Sequence, residues 1–378
     1  MQEDYFGFGA VNELKNILIK HNPKNIFLVT GKKSYELCGA KSILEDILKD
    51  YNIIAFSQFS LNPKIEDIKQ GLELYKKNNC DFVVAVGGGS VIDIAKAINI
   101  FVANEGDVVE YIKNEKSIKY KGNPLVAIQT TAGTGSEATH FAVIYINKTK
   151  YSLTHKYVLP DYAIIDPQFT MSLPSKITAA TGMDALAQAI ESYWCVGSTE
   201  ESKNYASESI KIIMQNLVKS VKNPDEKSRI AMAKASNLAG KAINISKTTA
   251  PHAISYPITS YFGIPHGHAV GLTIPSFILY NQEVTEQDVQ DKRGVNYVKK
   301  TMGKVIHLLA TRNAEEAKIK ITRLMEDIGL ETKLRSLGID SDEDVELIIK
   351  NGFNPDRVKN NPRRLTKESL RLILREIR

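Results

Sequence analysis

Phe82-Val83-Val84-Ala85-Val86-Gly87-Gly88-Gly89-Ser90, running straight into the apolar-periodic stretch 91–101, decides the fold class of this chain. Its valine-rich opening reads as a buried strand, and the stretch from Val91 reads as a helix. Between them, three glycines let the backbone approach a ligand closely, while the new helix presents unpaired N–H groups and the positive end of its dipole. These are the parts of a phosphate cradle. The run is not G-x-G-x-x-G, however, and an ordinary tight turn has the same composition.

Outward from that turn, the first 170 residues alternate short apolar runs with amphipathic stretches, the pattern of a mainly parallel sheet covered by helices. Strands are expected at Asn25–Thr30, 53–59, 82–86, Leu125–Gln129, 142–146 and 163–166. A helix is expected to open at Asn62-Pro63 and run from Lys64 to about Lys77, with Pro63 in the first turn, where its missing N–H has no partner to lose. Thr130-Thr131-Ala132-Gly133-Thr134-Gly135-Ser136-Glu137 follows strand Leu125–Gln129, at the edge where open α/β sheets bind ligands. Two such loops on one edge favour a nucleotide site over chance turns.

Beyond Leu173-Pro174 the periodicity changes to 3.6, through 178–193, 202–221, 226–245 and on to a terminal helix at 366–377. The chain is thus expected to form an α/β dinucleotide-binding domain of Rossmann-like type over residues 1–172 and an all-helical domain over 173–378. The short connection implies tight packing with a cleft between the two. A length of 378 residues agrees with more than one core, since single cores stop growing near ~250–300 residues.

Composition removes several classes of function. With 43% hydrophobic and 24% charged residues and scattered Gly and Pro, disorder, collagen and coiled coil are excluded. The formal charge of +6 is spread along the chain rather than gathered in a stripe, so no nucleic-acid partner is expected. No apolar run nears the ~20 residues of a membrane span, and Met1-Gln2-Glu3-Asp4 is acidic where a signal peptide is basic, which leads to the expectation of a cytoplasmic protein. Cys38, Cys80 and Cys195 are too few and too scattered for a disulfide framework or a cysteine-based zinc site.

The helical half carries the second chemical signal. In Thr181-Gly182-Met183-Asp184-Ala185-Leu186-Ala187-Gln188, Asp184 and Gln188 stand four apart and share a helix face. His252, His266 and His268 follow in Ala250-Pro251-His252 and Pro265-His266-Gly267-His268. A carboxylate with imidazoles suits Fe(II), Zn(II), Co(II) or Mn(II). A single histidine near prolines is more often structural.

Taken in order, Gly87–Ser90 with Asp93 and Lys96, Thr130–Glu137, Gly182-Met183-Asp184-Ala185-Leu186, and a histidine fourteen residues before the His266 of Pro265-His266-Gly267-His268 resemble the iron-dependent (group III) alcohol dehydrogenase family over nearly the whole chain. The resemblance implies hydride transfer between NAD(P)H and an alcohol or aldehyde at one divalent ion, Fe(II) first and Zn(II) or Mn(II) as alternatives. It makes Asp184, His252 and His266 ligands, Gly87, Gly88, Gly89 and Ser90 the pyrophosphate turn, and Asp93, Thr130, Thr131, Thr134 and Lys150 cofactor-side residues. A homodimer is the family expectation.

Three departures from the family pattern stand out. Gln188 replaces a histidine ligand with a weaker, neutral oxygen donor, which could bind weakly, bind only without substrate, or orient a water. Tyr256 replaces a second histidine near the reacting carbonyl, and an ordinary phenol with a pKa of ~10 is a poor proton relay near neutrality, so a water chain or the ribose hydroxyl would serve. Gly31, followed by Lys32 and Lys33, stands where NAD-preferring relatives carry an aspartate, leaving NADPH admissible beside NADH; the lysines also read as a solvated pair next to a turn.

Among branches of the family, residues 239–257 most resemble the phosphonoacetaldehyde reductases, and Gln188 and Tyr256 look typical of that branch. Lys247-Thr248-Thr249 ahead of His252 is expected to place a cation and two hydroxyls near the metal for a phosphonate, although Lys247 also reads as a surface residue at a helix end. His140 and His155 are weaker candidates for anion contacts. The alternatives are dehydrogenation of another small alcohol, a lyase of the dehydroquinate synthase type, and a metal-free relative that binds nucleotide only. The lyase is disfavoured by Asp184, where a glutamate ligand is expected, and by the scarcity of arginine nearby.

Overall fold

The computed structural model describes residues 2–60, 63–147 and 149–378, with the backbone alone at Asp356; Asn62 lies outside the described residues. The chain forms two compact units, Met1–Leu173 and Pro174–Arg378.

The first unit is built on β1 (Glu3–Phe6), β2 (Asn25–Thr30), β3 (Asn52–Phe56), β4 (Phe82–Gly87), β5 (Leu125–Gln129), β6 (Phe141–Ile146), β7 (Thr149–Thr154) and β8 (Tyr162–Ile165). Six of these make one parallel sheet in the order β1-β8-β5-β4-β2-β3. Every residue of β4 and β5 is buried, because helices cover both faces. Successive side chains alternate between those faces, so Val83 joins one core with Phe27, Ile68 and Ile94 while Val84 joins the other with Ile26, Leu14 and Leu44.

Several local expectations fail. The run at 142–146 is not a strand of the main sheet: β6 pairs antiparallel with β7 in a separate two-stranded sheet. Both strands are only partly buried, β7 is polar, and Asn147 after β6 takes φ 56°, a conformation asparagine tolerates. The strand expected at 53–59 stops at Phe56. Pro63 is not in the first turn of a helix, for the helix is Ile65–Lys77 with Lys64 as its extended N-cap. The Pro63 carbonyl instead accepts from Tyr145 N at 2.8 Å, and Asp67 holds the helix start by accepting from Lys64 N and Ser60 N. The short β1 and the polar β7 carry no clear apolar run, which is why neither stands out in the sequence.

Chain order reverses between β2 and β4, since β3 lies outside β2 while β5 and β8 lie beyond β4. Thr30 pairs with Val86 and Gly87 with Gln129, so Gly31, Gly88 and Thr130 leave the sheet side by side at its C-terminal edge. That is the switch point where open α/β sheets take ligands.

The second unit is helical, and apart from one isolated bridge no strand occurs among its described residues. Its centre is the Ser175–Trp194 helix, buried on all sides from Thr178 onward apart from Thr181, as an apolar helix must be when others surround it. Glu200–Lys222, Glu226–Ser246 and His266–Gln282 pack against it. Side-chain caps from Thr199, Asp225, Ser341 and Thr366 satisfy the first N–H groups of four helices. Among the described residues no helix is long and apolar enough to cross a membrane.

Candidate active site

Three elements of the helical unit bring their donors to one point. Asp184 comes from the middle of Ser175–Trp194, His252 from the first turn of Ala250–Phe262, and His266 is the first residue of His266–Gln282. Asp184 Oδ1 lies 3.4 Å from His252 Nε2 and 3.9 Å from His266 Nε2, and one ligand atom from each residue falls within 4.8 Å of the others. The close helix approach depends on Gly267. A Cβ there would come within 1.9 Å of the Ala180 carbonyl oxygen and 2.8 Å of Asp184 Cβ. Any larger residue would push the His266 helix off the Asp184 helix.

Both imidazoles are oriented from behind. Glu191, two turns beyond Asp184 on the same helix and wholly buried, accepts the His252 Nδ1 proton through one oxygen. Its other oxygen accepts from Thr249 N at 2.7 Å and Thr249 Oγ1 at 2.8 Å. Ser255 Oγ spends its only proton on the His252 carbonyl at 2.7 Å, so at 3.2 Å it accepts from His266 Nδ1. Each ring therefore keeps its Nε2 lone pair directed to the common point. Without a cation, burial opposes a charged His252, but Glu191 and then Asp184 overcome it and hold its pKa up at about 9, so a metal at this point takes the place of the Nε2 proton.

The donor set fits a divalent metal. His252 Nε2 is buried with no hydrogen-bond partner among the described residues, a costly arrangement for a neutral imidazole unless a cation completes it. One carboxylate with two imidazoles, each backed by an acceptor, is the donor chemistry of Fe(II), Zn(II) or Mn(II) sites. Gln188, buried one turn beyond Asp184, is available as a neutral oxygen donor.

Other expected residues take different places. His268 does not join the triad; its Nε2 bonds the Glu331 carbonyl at 2.7 Å, because residues two apart on a helix face different ways. Thr249 does not present a hydroxyl to substrate: it is buried, donates to Glu191 and accepts from Trp194 Nε1 at 2.9 Å. Lys247 is exposed and ends helix Glu226–Ser246 at φ 70°. Tyr256 stacks on His266 with ring centroids 5.8 Å apart and 22° between planes, and its hydroxyl accepts from Arg357 Nη1 at 2.5 Å. Burial raises the phenol pKa against the pull of Arg357, which keeps Tyr256 protonated at neutral pH. Glu191, Ser255, Gly267 and Arg357 are absent from the sequence-derived site; of these only Glu191 leaves a local signal, an acid seven residues beyond Asp184 on the same face.

In the first unit the two glycine- and threonine-rich loops meet. A Cβ on Gly88 would lie 3.1 Å from Thr131 Oγ1, and one on Gly89 would lie 2.8 Å from Thr134 Cγ2. Thr130 N donates to the Gly87 carbonyl at 3.0 Å. The helix begins at Gly89, so Ser90 stands in its first turn. Asp93 is turned inward: Oδ1 accepts from Ser136 Oγ at 2.5 Å and Oδ2 from Val143 N at 2.9 Å. Lys96 Nζ donates to the Ser136, Thr139 and Phe141 carbonyls, at 2.5, 2.8 and 3.0 Å. These two residues fix the threonine loop rather than reach outward. Burial lowers Lys96 to about 8 despite Asp93 and Glu137, so it remains an ammonium at pH 7. Lys150 pairs with Tyr145 across the hairpin, and its charge joins that of Lys96 in opposing the upward push of burial on Asp93. Lys32 and Lys33 after Gly31 are exposed. His155 Nδ1 caps the 3₁₀ turn Lys156–Val158 by accepting from Tyr157 N at 3.2 Å, and His140 lies edge-on to Phe141.

Residues 2–167 match the family model for iron-containing alcohol dehydrogenases, and residues 178–378 match that for the C-terminal part of the Fe-containing alcohol dehydrogenase family. The NAD-dependent methanol dehydrogenase of Bacillus methanolicus is 30% identical over 98% of this chain and 96% of its own length. The 1,3-propanediol dehydrogenase of Citrobacter freundii is 33% identical over 86% of this chain and 83% of its own. Among solved structures, the sulfoacetaldehyde reductase of Bifidobacterium kashiwanohense in complex with NAD+ superposes with a TM-score of 0.88 at 32% identity, covering 100% of this chain and 96% of that one.

Proposed function

The chain belongs to the iron-containing alcohol dehydrogenase family, and from that premise we propose that it reduces a short aldehyde bearing an anionic tail, phosphonoacetaldehyde first, to the corresponding alcohol with NADH or NADPH. The observation that carries the oxidoreductase reading is the convergence of Asp184, His252 and His266, with both histidines oriented through Nδ1. When bound, a divalent ion supplies a Lewis acid for the carbonyl oxygen and a nicotinamide supplies the hydride.

The protein's own part is orientation and charge placement. Glu191 and Ser255 keep the imidazoles in one tautomer and one pose, so that no reorganisation of donors is needed as charge develops on oxygen. Gly88 and Gly89 let a pyrophosphate approach the helix start at Gly89, and Thr131 and Thr134 line the same approach. Burial makes the Tyr256 phenol beside His266 a weak acid, so its part is to pack against the His266 ring rather than to relay a proton. The phosphonate preference is supported by the sequence of residues 239–257 and by the likeness to a reductase of sulfoacetaldehyde, another two-carbon aldehyde with a tetrahedral anionic group.

The test is a panel of two- to four-carbon aldehydes with phosphonate, sulfonate, phosphate, carboxylate or no charged tail, run with both nicotinamides after Fe(II), Zn(II) or Mn(II) loading. The proposal expects the highest kcat/KM on a phosphonate or sulfonate aldehyde, lost on chelation. Equal or better turnover of uncharged aldehydes ends the anionic-tail reading. No nicotinamide oxidation with any aldehyde or metal favours a nucleotide-binding relative without catalysis.

A further inference from the structure

We propose that Arg357, held by Tyr256 beside His266, is the residue that reads the anionic tail of the aldehyde. The inference rests on the reductase reading above and names the part of the site that would set its substrate.

The observation is a three-layer stack. The His266 ring lies against Tyr256 at 5.8 Å, and the Arg357 guanidinium carbon sits 4.7 Å from the Tyr256 ring centre while Nη1 bonds the phenol oxygen. A two-carbon aldehyde puts three bonds, roughly 4 Å, between its carbonyl oxygen and the phosphorus or sulfur of its tail. With the carbonyl at the triad, a tail running along the Tyr256 face extends towards the guanidinium in the third layer, its oxygens reaching one bond beyond the phosphorus or sulfur and a charge-assisted hydrogen bond of about 2.8 Å covering the remainder. With a divalent ion in place the two nearby carboxylates only balance it, so the site offers a dianionic tail no net positive charge of its own. Asp184 and Glu191 are buried carboxylates, and of the charged groups acting on the Tyr256 phenol Arg357 is the positive one. A dianion brought to this place without Arg357 would lack a compensating charge at low dielectric.

Guanidinium also has the right shape, since its planar fork pairs bidentately with a tetrahedral oxoanion where an ammonium acts as a point charge. The Pro355–Val358 turn that carries Arg357 is tied down just after it. Gln290 Nε2 donates to the Val358 carbonyl at 3.1 Å, Val196 N to the Asn360 carbonyl at 3.0 Å, and Asn360 Nδ2 to the Thr248 carbonyl at 3.1 Å. Arg357 is therefore a half-buried cation on an anchored turn, in contrast to the exposed Lys247.

The experiment compares Arg357→Ala, Arg357→Lys, Tyr256→Phe and Lys247→Ala in the metal-loaded enzyme on three substrates: phosphonoacetaldehyde, sulfoacetaldehyde, and 3,3-dimethylbutanal as the uncharged isostere. Metal content and thermal midpoint are measured on each variant. Arg357→Ala is expected to raise KM for the two anionic aldehydes roughly 10- to 100-fold more than for the isostere. Arg357→Lys should recover part of the loss, and Tyr256→Phe should give a smaller loss of the same selectivity. Phosphonate and sulfonate arms separate a site that needs a dianion from one that accepts a monoanion. Equal losses on all three substrates, or a selective loss in Lys247→Ala instead, overturn the assignment while leaving the reductase intact. If the wild type prefers the isostere, both this inference and the anionic-tail reading fall; if it reduces nothing, the reductase reading fails first.

Discussion

Glu191 fixes the tautomer of His252 and adds negative charge behind it, so its removal should be felt at the metal before it is felt in the fold. Glu191→Gln is expected to weaken divalent-ion binding roughly 10- to 100-fold, read by chelator competition, with far-UV circular dichroism unchanged. An unaltered affinity would show that the carboxylate has no part in ligand orientation. Gln188→His, which puts a stronger donor one turn from Asp184, should slow metal loss under the same chelator. These residues differ in how legible they are. Asp184, His252 and His266 announce their chemistry by type. Glu191 shows only as an acid at i+7 that helical geometry returns to the same face. Nothing near Arg357 in sequence points to Tyr256, 101 residues away.

At the scale of elements, the site depends on helix starts and crossings. Gly267 lets two helices touch, and Gly267→Ala is expected to cost at least ~1–3 kcal/mol of stability and most of the metal occupancy, because the new methyl meets a backbone carbonyl that has no room to move. A urea midpoint equal to wild type would refute the crossing argument. Helix Glu226–Ser246, which leads to Lys247, is started by Asp225 through Ser228 N at 2.8 Å. The Lys219 hydrogen bond first, then Ser228, lower the Asp225 pKa to about 2. Because this lies below the ordinary 3.8, the unfolded chain takes up the proton first, and the contribution to stability is present above pH 3.8 and lost as pH falls to 2. Asp225→Asn keeps a good cap without the charge; its stability deficit at pH 7 should shrink towards zero between pH 4 and pH 2, followed by urea denaturation. A deficit constant with pH would assign the effect to the cap alone. The hairpin β6–β7 shows where element reading failed: a β-branched run beside a parallel sheet looks like another of its strands until its polar partner is known.

The two units carry different ligand chemistry, and each should fail separately. Gly89→Val would drive a branched side chain into Thr134, only 2.8 Å from where a Cβ would stand, and should abolish nicotinamide binding, followed by fluorescence titration, while metal content stays at the wild-type level. Loss of metal together with nucleotide would refute that separation. Strand and helix periods and donor identity are local properties, so the α/β and helical halves and the chemical types at the glycine turn and the triad are legible in the order of residues alone. Tertiary structure decided which donors meet: it excluded His268, turned Asp93 and Thr249 inward, supplied Glu191 and Ser255 behind the rings, and set Arg357 on Tyr256. Those choices come from helix crossings and long-range hydrogen bonds between residues scores of positions apart, and no local pattern of residues encodes such distances.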